Sequence, residues 1–229
     1  MERREVRLPD GPRISYLAGG DPGAPPLVLL HALGEDATSW TAVVDRLAPH
    51  FSLFAPDLRG HGRSDWPGEY SSELMRDDVL GVLDALGLGD IVLVGHSMGG
   101  VVAYLVAQEQ PARVRRLVIE DVVPPFPFER QIRDRPDTPL PFDWPVVPAI
   151  LTEANDPTRR YWARLPGISA ATLLIGGGPD SYLPPEEMAE VARLIPDSTL
   201  VTIPAGHHVH ATEPGAFCDA VVPWLLAGS

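Results

Sequence analysis

The stretch Ile91-Val92-Leu93-Val94-Gly95-His96-Ser97-Met98-Gly99-Gly100 decides how this chain is read. Four apolar residues in a row, without polar alternation, have the pattern of a strand buried on both faces of a parallel sheet. A helical pattern starts at Met98 and runs to Gln108. Between the two lies Gly-x-Ser-x-Gly, whose glycines permit a turn sharp enough to lift the Ser97 hydroxyl above the sheet edge. The helix start beneath it offers free N–H groups and partial positive charge to a developing oxyanion. Glycine-rich strand–helix turns also bind phosphates, but the short spacing and the lack of any lysine disfavour that here. Ser97 is read as a nucleophile.

Outward from this turn the same alternation recurs. Short β-branched or leucine-rich runs lie at residues 14–18, 27–31, 52–57, 116–121, 172–176 and 199–204. Helical patterns at 40–47, 74–86, 98–108, 185–194 and 214–226 separate most of them. Strand–helix alternation implies an α/β fold: a mostly parallel central sheet with crossover helices on both faces. Residues 6–8 and 14–18, flanking Pro9-Asp10-Gly11, suggest an antiparallel hairpin entering that sheet. Residues 122–169 break the rhythm with ten prolines and no convincing strand. A structureless loop of that length is rare in a compact domain, so the stretch is read as a small inserted lid. Short helices are expected within it, near 146–153 and 159–165. The 229 residues are otherwise read as one domain.

Composition narrows the function. The net charge of −13 argues against nucleic acid or an anionic membrane as partner. With no lysine, a Schiff-base or P-loop mechanism is excluded. Cys218, the single cysteine, rules out an internal disulfide and any cysteine-rich metal centre; it sits in a C-terminal helical pattern as apolar filler. The charged N-terminus does not resemble a signal peptide, and a cytoplasmic location is expected. No apolar run approaches the roughly 20 residues that span a bilayer. A small-molecule substrate is expected, with no cofactor. The oligomeric state is not legible.

A nucleophilic serine needs a base and an orienting acid, brought to it by the fold. The cluster Gly206-His207-His208-Val209-His210 follows the last strand, where a mobile base belongs. No cysteine and no obvious acidic cluster accompanies His208 and His210, so no metal is expected, and alanine at either position should be mild for ester hydrolysis. Among the acids, Glu120 and Asp121 end a strand at its carboxyl end, the functional edge of an open α/β sheet. The N–H of Met98, next after the nucleophile, is one expected oxyanion donor.

The elbow, together with His31-Ala32-Leu33-Gly34, Asp57-Leu58-Arg59-Gly60-His61-Gly62-Arg63-Ser64 and Gly206-His207 in that order, resembles the α/β-hydrolase superfamily. It looks most like the short, arginine-rich bacterial members. The resemblance implies His207 as the base and Leu33 N–H as the second oxyanion donor, although Ala32 departs from the usual pattern. It implies that His31, His61, Asp57 and Arg59 brace loops, with Asp57 and Arg59 pairing or binding backbone. For the acid it offers two positions. Gly177-Gly178-Pro179-Asp180-Ser181-Tyr182-Leu183-Pro184 fits the motif that makes Asp180 the acid, yet some members place the acid at the position of Asp121, and the short bacterial members often carry a hydroxyl residue rather than an acid at the Asp180 position. Asp121 and Asp180 stay open, with Glu120 third.

The expected reaction is cleavage of a small carboxylic ester through an acyl-enzyme. The same residues serve a thioesterase, a carbon–carbon bond hydrolase or a cofactor-free perhydrolase, and the fold also occurs in non-catalytic binding proteins. Dehalogenase or epoxide-hydrolase chemistry needs an aspartate at the elbow, where this chain has Ser97. The aromatics Phe126, Phe128, Phe142, Trp144, Tyr161 and Trp162 either line an apolar pocket or pack the lid onto the body.

Overall fold

A computed structural model describes residues 1–9, 11–128, 130–132, 134–156 and 158–227. The centre of the expected hairpin turn, Asp10, lies outside them. Eight strands form one sheet: β1 Glu2–Arg7, β2 Arg13–Gly20, β3 Pro26–Leu30, β4 Ser52–Pro56, β5 Ile91–His96, β6 Val114–Glu120, β7 Ala171–Gly176 and β8 Ser198–Thr202. Their order is β1-β2-β4-β3-β5-β6-β7-β8. The first two strands are antiparallel, and everything from β4 through β8 is parallel.

Consecutive apolar residues face opposite ways along a strand, so each central strand feeds two cores. Val28, Leu30, Leu93, Leu117 and Ile119 join one core, with Met75, Val79 and Leu83 of helix α2 (Ser72–Ala85) and Val102 and Val106 of helix α3 (Met98–Glu109). Leu27, Leu29, Val92, Val94 and Val118 join the other, against Val43 and Leu47 of α1 (Thr41–Leu47). Helix α7 (Pro214–Leu226) covers the same face with Phe217, Val221, Leu225 and the buried Cys218. Among the described residues no helix is long and apolar enough to cross a membrane.

Residues 122–169 leave the sheet after β6 and return at β7. They contain helix α4 (Val146–Ala154) and a 3-10 turn at Trp162–Gly167, close to the two short helices expected there. Phe126, Val146, Ile150, Trp162 and Leu165 sink into the first core. The Trp162 indole N–H donates to Pro125 O at 2.9 Å, which fixes the exit from β6. Helix α5 (Pro185–Leu194) follows β7, and a single helical turn, α6 (Val209–Thr212), precedes α7.

The expected antiparallel hairpin is present, but its first strand starts at Glu2 rather than Val6: the charged Glu2–Glu5 part is held by backbone pairing to β2 and has no apolar signature to read. Helix α6 is too short for a helical period.

Candidate active site

The carboxyl ends of β3, β5, β6 and β7, and the loop after β8, converge at one edge of the sheet, where ligands bind in open α/β folds. Ser97 stands between β5 and α3 with φ 51° and ψ −120°, a left-handed conformation uncommon outside glycine. Its N–H is tied to Glu120 O at 3.2 Å. As the N-cap of α3 its hydroxyl makes no capping bond, so the oxygen is left for other work. A Cβ on Gly99 would come within 2.3 Å of Leu30 O, and one on Gly95 within 2.5 Å of Gly99 O. The motif glycines thus let the helix start press against β3 and β5 while the serine is pushed out.

His207 is brought to the same edge by the loop after β8. Its Nδ1 lies 2.8 Å from Asp121 Oδ2. Asp121 is buried, at φ 48°, one residue beyond β6. Its Oδ1 accepts the Gly177 N–H at 2.7 Å and its Oδ2 accepts the Ser181 hydroxyl at 2.6 Å. Burial favours the neutral acid, but the bonds from His207, Ser181 and Gly177 outweigh it and hold this carboxyl below its ordinary value. Of the two acids left open, the fold brings Asp121 to His207. Asp180 is exposed on the turn after β7, and among the described residues no hydrogen bond joins it to the imidazole. The next residue, Ser181, supports Asp121 instead. Glu120 faces the other side of the strand, fully buried, and accepts the backbone N–H of His210 at 2.9 Å while facing its Nδ1 at 2.8 Å.

Met98 is the first residue of α3, so its N–H has no intrahelical partner. Across the cavity the loop after β3 is held by its neighbours. Ala32 N–H donates to Glu35 Oε2 at 3.3 Å and Gly34 N–H to His61 Nε2 at 3.1 Å. Among the described residues no hydrogen bond engages the Leu33 N–H. His31 Nε2 accepts Leu58 N–H at 2.9 Å, so both loop histidines brace backbone. Burial holds the His61 imidazole down at about 3, and the neutral ring is the form able to accept from Gly34. Asp57 and Arg59 do not pair with each other. Asp57 takes Arg3 at 2.6 Å and the N–H groups of Ala37 and Arg63, while Arg59 forms a two-pronged pair with Asp78.

Ser97, Leu33, Met98 and His207 share the wall of a cavity of about 610 Å³, otherwise mostly apolar. Of the six aromatics between 122 and 169, Phe128 alone is on that wall; Phe126, Tyr161 and Trp162 are buried packing residues. Tyr182, not foreseen from the sequence, stands over the site. Its hydroxyl is 3.5 Å from His207 Nε2, and its ring centroid is 4.6 Å from the imidazole. Among the described residues no direct hydrogen bond links Ser97 to His207; such contacts are often loose before substrate binds.

Acids do accompany the histidine cluster, contrary to the sequence expectation. Glu35 lies 3.2 Å from His208 Nδ1, and Glu120 meets His210. Glu35, His96 and His208, and separately His96, Glu120 and His210, offer donor atoms within 4.8 Å of one another. In the second group the Glu120 carboxylate already engages the His210 imidazole directly through a buried hydrogen bond. Folding brings these residues together from the loop after β3, the ends of β5 and β6, and the segment after β8, so no linear spacing could announce them.

Residues 25–149 match the family described as alpha/beta hydrolase fold. The chain belongs to that family. It is similar to the sn-1-specific diacylglycerol lipase ABHD11 of Mus musculus, 29% identical over 93% of this chain and 85% of that one. It is 34% identical to Epoxide hydrolase 4 of Mus musculus, over 57% of this chain and 38% of that protein. Among solved structures, an esterase from Thermogutta terrifontis superposes with a TM-score of 0.80, at 29% identity and 98% coverage of both chains. This alpha/beta hydrolase therefore has relatives with several hydrolytic chemistries on one fold.

Proposed function

We propose that this alpha/beta hydrolase is a serine esterase acting on a small carboxylic ester through an acyl-enzyme. The observation that carries the reading is the 2.8 Å contact of His207 with Asp121 on the cavity that also holds Ser97. His207 takes the Ser97 proton as the oxygen attacks the ester carbonyl carbon. Asp121 fixes the imidazole tautomer with the proton on Nδ1 and stabilises the cation that forms. The N–H groups of Met98 and Leu33 receive the oxyanion; in such sites one donor is worth about 3–4 kcal/mol. The alkoxide then leaves with the proton from His207, and water activated by the same imidazole releases the acid. Residues 122–169 act as the lid, supplying Val122, Phe128, Ile150 and Leu151 to the cavity wall. The similarity to an esterase and a lipase supports this chemistry over that of the epoxide hydrolase, whose reaction needs a carboxylate where this chain has Ser97.

A fluorophosphonate probe tests the reading. It should label the wild-type protein at Ser97 and leave Ser97→Ala unlabelled, with hydrolysis of p-nitrophenyl esters falling below a hundredth. Labelling elsewhere, or equal turnover in the folded variant, would defeat it.

A further inference from the structure

Among the described residues of the cavity wall, beside Ser97, Tyr182 and His207, lies the guanidinium of Arg130. It is half-buried in a chain whose acids outnumber its bases by thirteen charges. Most arginines here meet a carboxylate, yet among the described residues none lies within ion-pair distance of Arg130. Its guanidinium stacks 5.0 Å from the Phe128 ring and 5.3 Å from Phe126. One nitrogen donates to Ala154 O at 2.9 Å and approaches Phe128 O at 3.5 Å. A guanidinium has five N–H donors in a fixed fork, so most of that capacity is unspent. The backbone is held firmly as well: Asn155 Oδ1 accepts the Arg130 N–H and Asn155 Nδ2 donates to the Arg130 carbonyl, both at 2.9 Å.

A cation left in an apolar wall without a counter-charge is unfavourable unless a ligand supplies one. Here the backbone position is tied to Asn155 and the side chain lines the cavity that holds Ser97. Burial pushes the guanidinium down from its ordinary value, the Tyr182 phenol opposing, which reflects how little water shields the charge. A group this basic still stays protonated.

We propose that the cavity selects esters bearing a second, free carboxylate, which Arg130 binds while Ser97 attacks the ester carbonyl. One guanidinium matches one carboxylate as a two-pronged pair. A phosphate dianion would call for more positive charge, and Arg130 is the only arginine among the described residues of the wall. Ser97, Tyr182 and Arg130 line one cavity, which suits a substrate whose free carboxylate lies a few bonds from the scissile carbonyl, as in a short dicarboxylate half-ester. The apolar remainder of the wall receives the intervening methylenes and the alcohol. The selection of esters rests on the esterase reading; the anion site does not.

The test has a kinetic and a binding arm. In the first, p-nitrophenyl hemiglutarate is compared with p-nitrophenyl pentanoate, of equal acyl length but neutral. Wild type should favour the hemiglutarate in kcat/KM by about tenfold or more, the scale of one charge-assisted contact. In Arg130→Gln the ratio should fall to near one, mainly through KM, and Arg130→Lys should recover part of it. In the second arm, monomethyl glutarate and uncharged dimethyl glutarate are titrated against the intact protein by calorimetry. The monoanion should bind more tightly in wild type and lose that advantage in Arg130→Gln. If neither ester turns over but the monoanion binds through Arg130, the esterase reading fails and the anion site stands. A wild-type preference for the neutral ester, or equal binding of the two glutarates, overturns the proposal whether or not any variant folds.

Discussion

Glu120 and Asp121 are neighbours in sequence, and each meets a histidine of the same short loop. Asp121 pairs with His207 and Glu120 with His210, both at 2.8 Å. Their surroundings differ completely. The first pair opens on the cavity, with His207 partly exposed beside Ser97. The second is sealed, both partners fully buried, the His210 ring stacked 4.2 Å from Trp40. Glu120 is the last residue of β6, whereas Asp121 at φ 48° has left the strand, so one step along the chain separates a pair that does chemistry in our reading from one that holds the loop. The same functional groups at the same distance do not define a triad; access to the nucleophile does.

The largest expected effect breaks the exposed pair. Asp121→Asn should lower kcat on an activated ester by about 10³–10⁴-fold with little change in KM, because the imidazole loses its tautomer and its counter-charge. Asp180→Asn should stay within a few-fold of wild type. Steady-state kinetics on both variants, each checked for folding, decides it. A large loss in Asp180→Asn alone would transfer the acid to the other strand.

Breaking the sealed pair should spare chemistry and damage the fold. His210→Ala leaves the Glu120 carboxylate buried without its partner, a change that costs about 3–5 kcal/mol in comparable sites. Denaturant unfolding should show that loss, while kcat per labelled active site changes far less than in Asp121→Asn. The mild effect on turnover is what the sequence led us to expect of His210→Ala; the stability loss follows from the buried contact with Glu120, which the sequence did not announce. Equal losses of turnover in both pairs, with stability intact, would contradict the division.

How much of this was legible in the sequence follows from which forces act locally. The central strands, α3 and the elbow were readable because both-face burial and glycine spacing are written in consecutive residues. Ser97, His207, Met98 and Leu33 were placed by motif and come together on one cavity. The choice between Asp121 and Asp180 was not readable, since it depends on which strand end faces the last loop. Arg59 meeting Asp78, Glu35 meeting His208, and Tyr182 leaning on His207 are likewise contacts across the fold.

A third experiment concerns His96, which lies between the pairs. Its ring is 4.8 Å from that of His207 and 5.1 Å from that of His210, and its Nε2 lies 2.8 Å from His207 O. Burial alone would lower its pKa, but the carboxylates of Glu120 and Glu35 raise it above the ordinary histidine value. A raised pKa means that this contribution to stability is complete below about pH 6.5 and is lost as pH rises through the folded-state value. Melting temperature measured from pH 6 upward should fall for this reason, and Glu120→Gln should flatten the fall. An unchanged slope in Glu120→Gln would uncouple His96 from the sealed pair.

The smallest effect should come from Tyr182, at the rim of the exposed pair. Its hydroxyl is 3.5 Å from His207 Nε2, the nitrogen that must accept the Ser97 proton, and it also lies beside the Ser97 hydroxyl. Burial, the largest influence, raises the phenol pKa, so at neutral pH it is a donor and not a charge. It therefore competes with Ser97 for the imidazole. Tyr182→Phe keeps the ring against His207 and removes only that competition. A hydrogen bond of this kind is worth about 0.5–1.5 kcal/mol net, so fluorophosphonate labelling of Ser97 should accelerate by roughly two- to tenfold. Against Asp121→Asn, where labelling nearly stops, the contrast separates a group that orients the base from one that merely occupies it. A tenfold slower reaction in Tyr182→Phe would instead mean that the phenol donates to the reacting centre.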